Sequence, residues 1–296
     1  MYELRRLRLL HELSLRGTLA AVADALSFSP STISSQLSVL EREAGVPLLE
    51  PDGRRVRLTP AGQALAAHAA RVLALEESVR AELATVRPGL ATVRLAVIQS
   101  VAQSIVPRAL TLLGEREPGL RVEVAQVPPE VGLFELTART FDLVVAEQYP
   151  GHTRAHAEGI ERHPLGADPI RLALSREDPA TALADLHDRA WVLEPAGTAA
   201  RQWAVQQCRA AGFEPDVRYE LADLTSHVRL VAAGHAVGML PDLVWAGRPE
   251  PVRLLSLPGE PVRDLFLATR TASAGRTDLD AVGRALVDAL DELEHV

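Results

Sequence analysis

Apolar residues recur at helical spacing in two adjacent segments near the start of the chain. Both segments follow the i, i+3, i+4, i+7 rule of a helix with one buried face. The two sets are Leu19, Val22, Ala23 and Leu26, then Ile33, Leu37, Leu40 and Ala44. Between them, Ser29 followed by Pro30 predicts an N-cap with proline at the first helical position. The pattern therefore predicts two short helices joined by a tight turn.

A further helix and a hairpin flank this pair. One face of a helix predicted over about residues 2–15 carries Leu4, Leu7, Leu10 and Leu13. Gly45 is placed to end the second helix of the pair. The segment VPLLEPDGRRVRLTP then predicts two short strands around the turn Pro51-Asp52-Gly53, an arrangement typical of a wing.

The second helix of the pair turns short, uncharged hydroxyl side chains outward. A helix-turn-helix places such a surface against base edges in a major groove. Arg54 and Arg55 on the wing can reach a flanking phosphate or a minor groove. The alternatives are an ordinary helical hairpin with serines facing water and a surface hairpin with solvated arginines. The predicted DNA-binding residues are Thr18, Ser29, Pro30, Ser31, Thr32, Ser34, Ser35, Gln36, Arg54 and Arg55.

A long helix with a heptad pattern is predicted from Thr59-Pro60 to about Val86. Apolar residues recur in it every seven positions, at Leu65, Val72, Val79 and Val86, with Leu83 alongside. A seam of this length needs a partner helix to cover it, although the helix can instead lie on its own domain. The segment Arg87-Pro88-Gly89 ends the helix, and a separate domain begins there. The predicted dimerisation residues are Leu65, Val72, Val79 and Leu83.

The remainder of the chain alternates strand patterns with helical patterns. The first strands are ATVRLAVI, LRVEVAQV and FDLVVAE, followed by IRLALS, AWVLEP, VRYEL and AVGMLP. Short helices are predicted near 181–187, 198–211 and 224–233. DLFLATR is a last strand, and a helix from about Asp278 to Glu294 closes the chain. This alternation predicts βαβ units and a largely parallel sheet.

Length and composition indicate a globular protein of two or three domains, since the chain has 296 residues, 47% hydrophobic and 24% charged. No segment approaches the ~18 uninterrupted apolar residues of a membrane span. The charged N-terminal segment lacks a signal-peptide apolar region. We therefore expect a cytoplasmic protein without a membrane partner. The single cysteine, Cys208, excludes an intramolecular disulfide.

The net charge of −8 is distributed unevenly along the chain. Residues 1–58 hold eight arginines and seven acidic residues, a net charge of +1, so the remainder carries −9. Basic side chains cluster at Arg5, Arg6, Arg8 and Arg16 and again on the wing. We interpret them as a modest patch for DNA phosphates in front of an acidic body.

In the order of these parts, the chain resembles the LysR-type transcriptional regulators over essentially its whole length. The resemblance lies in GTLAAVADALSFSPSTISSQLSVLEREAGVPLL, then GRRVRLTPAGQAL, then the long helix and a two-lobed C-terminal region. Three positions depart from the family pattern. Leu49 replaces the usual phenylalanine, Pro51 a frequent arginine, and Ser35 the arginine that many members carry.

The resemblance implies an N-terminal all-α winged helix-turn-helix with a long linker helix, and a C-terminal α/β, two-lobed, periplasmic-binding-protein-like effector domain. The expected domains are 1–58 for DNA binding, 59–88 for the linker and dimerisation helix, and 89–296 for effector binding. Lobe I is expected over about 89–162 and 265–296, and lobe II over about 163–264. The expected partners are double-stranded operator DNA, a small polar or anionic effector between the lobes, and further copies in a homodimer or homotetramer.

Three predicted strand-to-helix junctions carry short polar side chains. Ligands of open α/β sheets bind beyond the strand ends, where helix N-termini present free N–H groups. Each such side chain can also serve only as a helix cap. The resemblance implies that the junctions meet in one cleft. Because Glu147 and Tyr149 follow the strand FDLVVA, we expect them on the rim of that cleft. The expected effector-binding residues are Ser100, Gln103, Ser104, Glu147, Thr198, Arg201, Thr225 and Ser226.

The sequence lacks the motifs of common enzyme classes: G-x-S-x-G, G-x-x-x-x-G-K-S/T, G-x-G-x-x-G and C-x-x-C. His152 and His156 are four residues apart, but the surrounding HTRAHAEG predicts a loop and argues against a metal site. We therefore expect no enzymatic activity, metal or cofactor. The leading interpretation is a ligand-responsive transcription factor. The alternatives are a small-molecule-binding or catalytic α/β protein whose N-terminal helices serve only assembly, and a DNA binder whose lobes are merely structural.

Overall fold

Residues 1–53, 55–86, 92–154, 157–246 and 250–294 are described by the computed structural model of the protein; the side chains of residues 80, 83–86 and 294 lie outside that description. The chain divides into two compact units. They are Met1–Arg87 with Ala272–Arg276, and Pro88–Thr271 with Thr277–Val296. The segment 87–89, predicted to end the long helix, lies outside the described residues.

The first unit is a winged helix-turn-helix. Its elements are α1 (Leu4–Arg16), α2 (Leu19–Leu26), α3 (Pro30–Ala44), β1 (Leu49–Asp52), β2 (Arg55–Leu58) and α4 (Pro60–Val86). β1 and β2 pair antiparallel as the predicted wing. The helices enclose one core, in which Leu10, Ile33 and Leu40 are fully buried. The apolar stripes in the sequence therefore predicted the helices of this unit correctly.

Side-chain caps define the two helix starts of the helix-turn-helix. Thr18 Oγ1 accepts a hydrogen bond from the Ala21 amide at 3.1 Å, and Ser29 Oγ accepts one from the Thr32 amide at 3.1 Å. Each bond satisfies one of the amides that an α-helix start leaves without an intrahelical partner. The turn therefore has a defined geometry that the Ser29-Pro30 pair encodes locally.

The wing is attached to the helices at Leu48. The Glu41 carboxylate on α3 accepts hydrogen bonds from the Leu48 and Leu49 amides at 2.9 and 3.0 Å. Gly62, in the first turn of α4, passes so close that a Cβ there would lie 2.1 Å from the Leu48 carbonyl oxygen. Only glycine can be accommodated at this distance from the Leu48 carbonyl. Leu48 therefore contacts both α3, through Glu41, and α4, through Gly62.

The second unit is a mixed α/β structure. Its strands are β3 (Thr92–Val97), β4 (Arg121–Gln126), β5 (Leu143–Gln148), β6 (Ile160–Leu174), β7 (Ala190–Leu193), β8 (Asp216–Glu220), β9 (Gly238–Pro241), β10 (Arg253–Ser256) and β11 (Val262–Arg270). Its α-helices are α5 (Gln99–Ser104), α6 (Val106–Arg116), α7 (Pro129–Thr137), α8 (Ala199–Ala210), α9 (Leu224–Ala232) and α10 (Thr277–Glu294). Short 3-10 helices cover Leu183–Leu186, Asp242–Val244 and Thr271–Ser273.

The prediction of a largely parallel sheet is wrong for half of this unit. The main sheet has the order β10-β6-β11-β5-β3-β4, with β9 paired to β6, and β7 and β8 form a separate parallel pair. β3 pairs parallel with β4 and β5, but every pair made by β6 or β11 is antiparallel. Alternation of strands and helices identifies only parallel βαβ units. The alternation gives no indication that two long strands, β6 and β11, pair antiparallel with each other.

The sequence did not predict strand β10 or the first ten residues of strand β6. β10 was not predicted, because a four-residue half-buried strand gives almost no periodicity. β6 starts ten residues before the predicted IRLALS segment, since Pro164 and Gly166 mark breaks in a strand pattern. A register shift opposite Leu265 and Phe266 accommodates these residues, so the strand continues through them.

The described residues of the second unit form four buried hydrophobic clusters, and the two largest lie in its two lobes. One packs around β3, β5, α6 and α10, with Leu95, Ile105 and Leu286 buried. The other packs around β6, β7 and α8, with Leu172, Trp191 and Trp203 buried. The predicted crossings between lobes, near 162 and 265, fall within β6 and β11. Across the described parts of the chain, no helix combines the length and hydropathy needed to span a membrane.

Candidate DNA-binding and effector sites

The outer face of α3 carries the hydroxyl groups predicted to read DNA. Ser31, Thr32, Ser34 and Ser35 are exposed, and the buried positions of the helix lie on its other face. The Ser29 hydroxyl oxygen lies 2.8 Å from those of Ser31 and Thr32. Within the described part of the chain, the Ser34 and Ser35 side chains make no hydrogen bond. These two hydroxyls are therefore available to a ligand.

Four other predicted DNA-binding residues have structural roles here. Thr18 and Ser29 cap helices, and Pro30 is the first residue of α3. Gln36 is half-buried, and its Oε1 accepts a hydrogen bond from Arg6 Nε at 3.2 Å. These contacts position the outer face of α3, whether or not the side chains also touch DNA.

The basic patch is smaller than the arginine count suggests. Arg6 forms ion pairs with Glu3 at 2.8 Å and with Glu43 at 2.5 Å. Arg16 pairs with the buried Glu12 at 2.7 Å. The interpretation of Arg6 and Arg16 as phosphate contacts is therefore corrected, since both charges are compensated within the unit. Sequence spacing alone does not show these partners.

The wing presents one uncompensated arginine among the described residues. Arg55 is exposed and forms no ion pair there, whereas Arg57 pairs with Glu50 at 2.9 Å. Arg54, predicted to contact DNA, lies outside the described residues.

The apolar positions of α4 fall into two groups. Leu65 and Val72 are half-buried and pack against the core of their own unit. Leu75 and Val79, one turn apart, are 66% and 44% exposed. The side chain of Leu83 lies outside the described residues. The exposed part of the predicted seam is therefore its second half.

Arg263 is the central polar residue of the second unit. Its guanidinium is 2% exposed and donates to Asp168 through Nε at 3.0 Å and Nη2 at 2.7 Å. Nη1 donates to the Glu147 carboxylate, and Nη2 also donates to Ser100 Oγ at 2.5 Å. Burial alone would lower the pKa of Arg263, but Glu147 and Asp168 raise it above its usual value. The guanidinium is therefore a fixed charge.

This cluster brings two predicted effector-binding residues, Ser100 and Glu147, to one place. Sequence reasoning missed the arginine and Asp168 that join them. The available signal was weak, because Arg263 is one of three charged residues in the strand VRDLFLATR. The Ser104 hydroxyl, also predicted, donates to the Ser100 carbonyl at 2.6 Å and serves its own helix.

The start of α9 contacts α5 directly. Asp223 caps α9, accepting hydrogen bonds from the Thr225 and Ser226 amides at 3.1 and 3.0 Å. Gln99 Nε2 donates to Asp223 Oδ1 at 2.5 Å, and Gln99 Oε1 accepts from the Leu224 amide at 2.9 Å. The Ser226 hydroxyl is the first cause, and Gln99 another, that lowers the pKa of Asp223 to about 2.

Gln103 and Thr225, both predicted, also meet at this contact. Gln103 Nε2 lies 3.4 Å from Thr225 Oγ1, a long hydrogen bond. Two of the three predicted junctions therefore touch each other through side chains.

The third junction is internally bonded. Thr198 caps α8, accepting from the Arg201 amide at 3.3 Å and donating to the Pro195 carbonyl at 3.0 Å. Arg201 donates to the Glu194 carbonyl at 3.3 Å and pairs with Glu220 at 2.5 Å. Among the described residues, Thr198 makes no hydrogen bond to the other two junctions.

A cavity of about 20 Å³ lies beside this third junction. Glu194, Arg201 and the rings of Tyr149, Trp203 and His227 line it together with aliphatic side chains. Burial, followed by the charge of Glu147, raises the pKa of Glu194 to about 7. Burial lowers the pKa of His227, whose Nε2 lies 2.8 Å from the Leu221 carbonyl oxygen.

Comparison with known families decides the identity of these two units. The LysR substrate binding domain family matches residues 88–291, and the bacterial regulatory helix-turn-helix protein, lysR family, matches residues 4–63. The chain belongs to the LysR family. It is a LysR-type DNA-binding transcriptional regulator with an effector-binding domain, as its sequence resemblance implied.

LysR-family relatives match nearly the whole chain. A probable hydrogen peroxide-inducible genes activator of Streptomyces viridosporus is 31% identical over 285 residues, which cover 92% of this chain and 89% of the relative. The transcriptional dual regulator GltC of Bacillus subtilis is 28% identical over 250 residues, covering 82% of each chain. These relatives are named as regulators, not as enzymes.

Solved LysR-family structures share the fold. A full-length OxyR variant from Pseudomonas aeruginosa has a TM-score of 0.68 at 19% identity, covering 97% of this chain and 95% of its own. Full-length CbnR in complex with its target DNA has a TM-score of 0.54 at 24% identity, covering 97% of this chain and all of its own.

Proposed function

We propose that this regulator binds operator DNA as a homodimer or homotetramer and responds to a small polar or anionic effector held between two lobes. The direct contact of the α5 and α9 starts through Gln99 and Asp223 carries the effector half of this proposal. A molecule bound at this contact touches both lobes, so it favours one arrangement over another. It shifts DNA binding only by its difference in affinity for the two arrangements.

The proposed division of the chain follows this scheme. Residues 1–58 bind DNA, 59–88 form the linker and dimerisation helix, and 89–296 bind the effector. Lobe I comprises about 89–162 and 265–296, and lobe II about 163–264. The two compact units, which separate near position 87, support the boundary after the linker helix.

DNA binding divides into positioning and reading in this proposal. The wing arginines Arg54 and Arg55 contact the backbone, and the hydroxyls of Ser31, Ser34 and Ser35 face base edges. We expect Arg55→Ala to weaken binding to all sequences alike and to lower the salt slope by about one unit, since one phosphate contact is lost. Fluorescence anisotropy titrations at salt concentrations from about 50 to about 300 mM measure the affinity and its salt slope.

Ser34→Ala is the matched contrast, because the serine lies on the same domain but carries no charge. It should leave the salt slope unchanged and alter the ranking of operator variants. An unchanged salt slope in Arg55→Ala would show that the wing residue does not contact phosphate.

The effector site is proposed at Ser100, Gln103, Ser104, Glu147, Thr198, Arg201, Thr225 and Ser226. We expect Thr198→Val to raise the effector concentration for half-maximal response about five-fold, since a lost buried hydrogen bond costs ~1 kcal/mol. DNA binding without effector should not change. A reporter titration with purified-protein binding measurements checks this, and thermal unfolding of the variant excludes a folding defect.

Unchanged response in Thr198→Val, Ser100→Ala and Thr225→Val alike would contradict an effector at these junctions. Thr137→Val is the control, since its hydroxyl donates to the Leu133 carbonyl within α7 at 3.2 Å, away from the three junctions.

A peroxide response through cysteine oxidation is the second candidate, because several relatives are named as hydrogen peroxide-inducible activators. Peroxide oxidises accessible thiolates. Cys208 is the single cysteine of the chain and is fully buried, and burial raises the pKa of its thiol to about 12. The structure therefore favours a bound effector over thiol oxidation.

A further inference from the structure

The cavity beside the third junction has a few ionisable residues in a mainly apolar lining. It is formed mainly by aliphatic side chains, and its ionisable lining residues are Glu194, Arg201, Tyr149 and His227. Its volume of about 20 Å³ is that of roughly one water-sized group. A cavity of this size accepts the head group of a ligand and not a whole metabolite.

Glu194 is the carboxylate of this region that lacks a partner. The two other acids nearby, Glu147 and Asp168, both pair with Arg263. The Arg201 guanidinium is paired with Glu220 and bonded to the Glu194 main chain. Among the described residues, the Glu194 carboxylate accepts no hydrogen bond and forms no ion pair. Glu147 and Asp168 thus already compensate the buried guanidinium of Arg263, and Glu194 adds a further acidic group to this region.

Aromatic rings complete the composition of the cavity. The Tyr149 and Trp203 rings both line it, with centroids 5.7 Å apart at an interplanar angle of 40°. Both residues are buried, at 5% and 2% exposure. Aromatic faces beside a carboxylate form an environment that attracts cations, since the ring quadrupole and the negative charge act in the same direction.

We propose that the Glu194 carboxylate binds the primary ammonium group of a small-molecule effector in this cavity. The inference rests on the proposed function, because it assigns a ligand class to the effector cleft. A carboxylate ligand in this cavity would face the Glu194 carboxylate, on which the charge of Glu147 already acts. The arginine that lines the cavity, Arg201, is already paired with Glu220. The sequence predicted a small polar or anionic effector, and the acidic residues argue against an anionic head group.

The head group is further restricted by size and by protonation. A primary ammonium is about as large as water and donates three hydrogen bonds. A quaternary ammonium is several times larger. Burial and the charge of Glu147 raise the pKa of Glu194 to about 7 despite the opposing effect of Arg263. An ammonium group bound beside the carboxylate would favour its charged form.

The test measures binding of five probes to the full chain by isothermal titration calorimetry. The probes are three primary amines (ethanolamine, 1,4-diaminobutane and L-lysine), the quaternary amine choline, and succinate. We expect at least one primary amine to bind and the other two classes not to bind. In Glu194→Gln the affinity for that amine should fall about tenfold to a hundredfold, since a charge-assisted hydrogen bond is lost. Glu214→Gln, which alters an exposed carboxylate paired with Arg209, should leave it unchanged.

Two results would overturn the assignment: binding of none of the three amines, or an amine affinity that Glu194→Gln does not reduce. Glu194→Gln leaves no buried group without its previous partner, so thermal unfolding should show a folded protein. Succinate binding that Thr198→Val weakens would overturn the ammonium assignment and leave the proposed effector site intact. Amine binding that is insensitive to Ser100→Ala, Thr198→Val and Thr225→Val but lost in Glu194→Gln would instead contradict the junction residues of the proposed function.

Discussion

Replacing Arg263 with methionine should lower the free energy of unfolding by about 3–5 kcal/mol, the range for breaking a buried ion pair from one side. The substitution removes the cation that compensates Glu147 and Asp168, which are 7% and 2% exposed. Both carboxylates then lose their charge partner while they remain largely buried. Urea denaturation monitored by circular dichroism measures the change.

Two further variants separate this cause from a general packing defect. Arg218→Met removes an arginine from the exposed pair with Asp216 and should cost less than about 1 kcal/mol. Adding Glu147→Gln and Asp168→Asn to Arg263→Met removes the uncompensated charges and should restore part of the stability. If Arg263→Met is no more destabilising than Arg218→Met, the buried cluster does not hold the second unit together.

The cluster also bears on how the effector domain works. Asp168 lies on β6 and accepts a hydrogen bond from the Leu243 amide at 3.0 Å, while Glu147 is the last but one residue of β5 and Ser100 the second residue of α5. One guanidinium therefore joins elements on both sides of the predicted lobe crossings. The Ser100 hydroxyl oxygen thereby accepts a hydrogen bond from Arg263 Nη2, and its O–H remains as a donor for a ligand.

The helix-turn-helix was predictable because its signals are local. The Ser29-Pro30 cap, the apolar stripe of α3 and the Gly45 ending all lie within a few residues of the structure that they determine. Helix periodicity and capping depend on neighbours three or four residues away. Sequence reasoning therefore recovers the elements of the first unit without knowledge of tertiary contacts.

The polar interior of the second unit was not predictable in the same way. Arg263 meets Asp168, Glu147 and Ser100 across sequence separations of 95, 116 and 163 residues. No spacing rule connects such positions. The antiparallel pairing of β6 with β11 has the same origin, since it joins strands almost a hundred residues apart. The sequence identified the junctions as candidate sites, but it did not show that Arg263 would neutralise Glu147 and Asp168.

The heptad seam of α4 shows a third kind of limit. Periodicity identifies an apolar stripe but not the surface that covers it. Leu65 and Val72 pack on the core of their own unit, whereas Leu75 and Val79 remain exposed further along the helix. The proposed dimer contact therefore rests on the second half of the helix.

Val79→Glu should abolish the dimer at micromolar concentration and lower the affinity for a two-half-site operator by about a hundredfold or more. The variant places a carboxylate in the apolar interface proposed between two α4 helices, where an unpaired charge would be desolvated at a cost of several kcal/mol. Loss of the dimer removes the second half-site contact and with it the gain in effective concentration. Sedimentation velocity and operator titration measure the two effects on the same preparation.

Val79→Leu is the matched control, because it keeps an apolar side chain at the same exposed position and should preserve both the dimer and operator affinity. The folded state of Val79→Glu should be unaffected, since Val79 is 44% exposed in the single chain and makes no core contact that the substitution could disrupt. Binding to a single half-site should likewise change little, which separates lost assembly from damage to the winged helix. A sedimentation profile that shows an intact dimer in Val79→Glu would place the dimer interface elsewhere on the molecule.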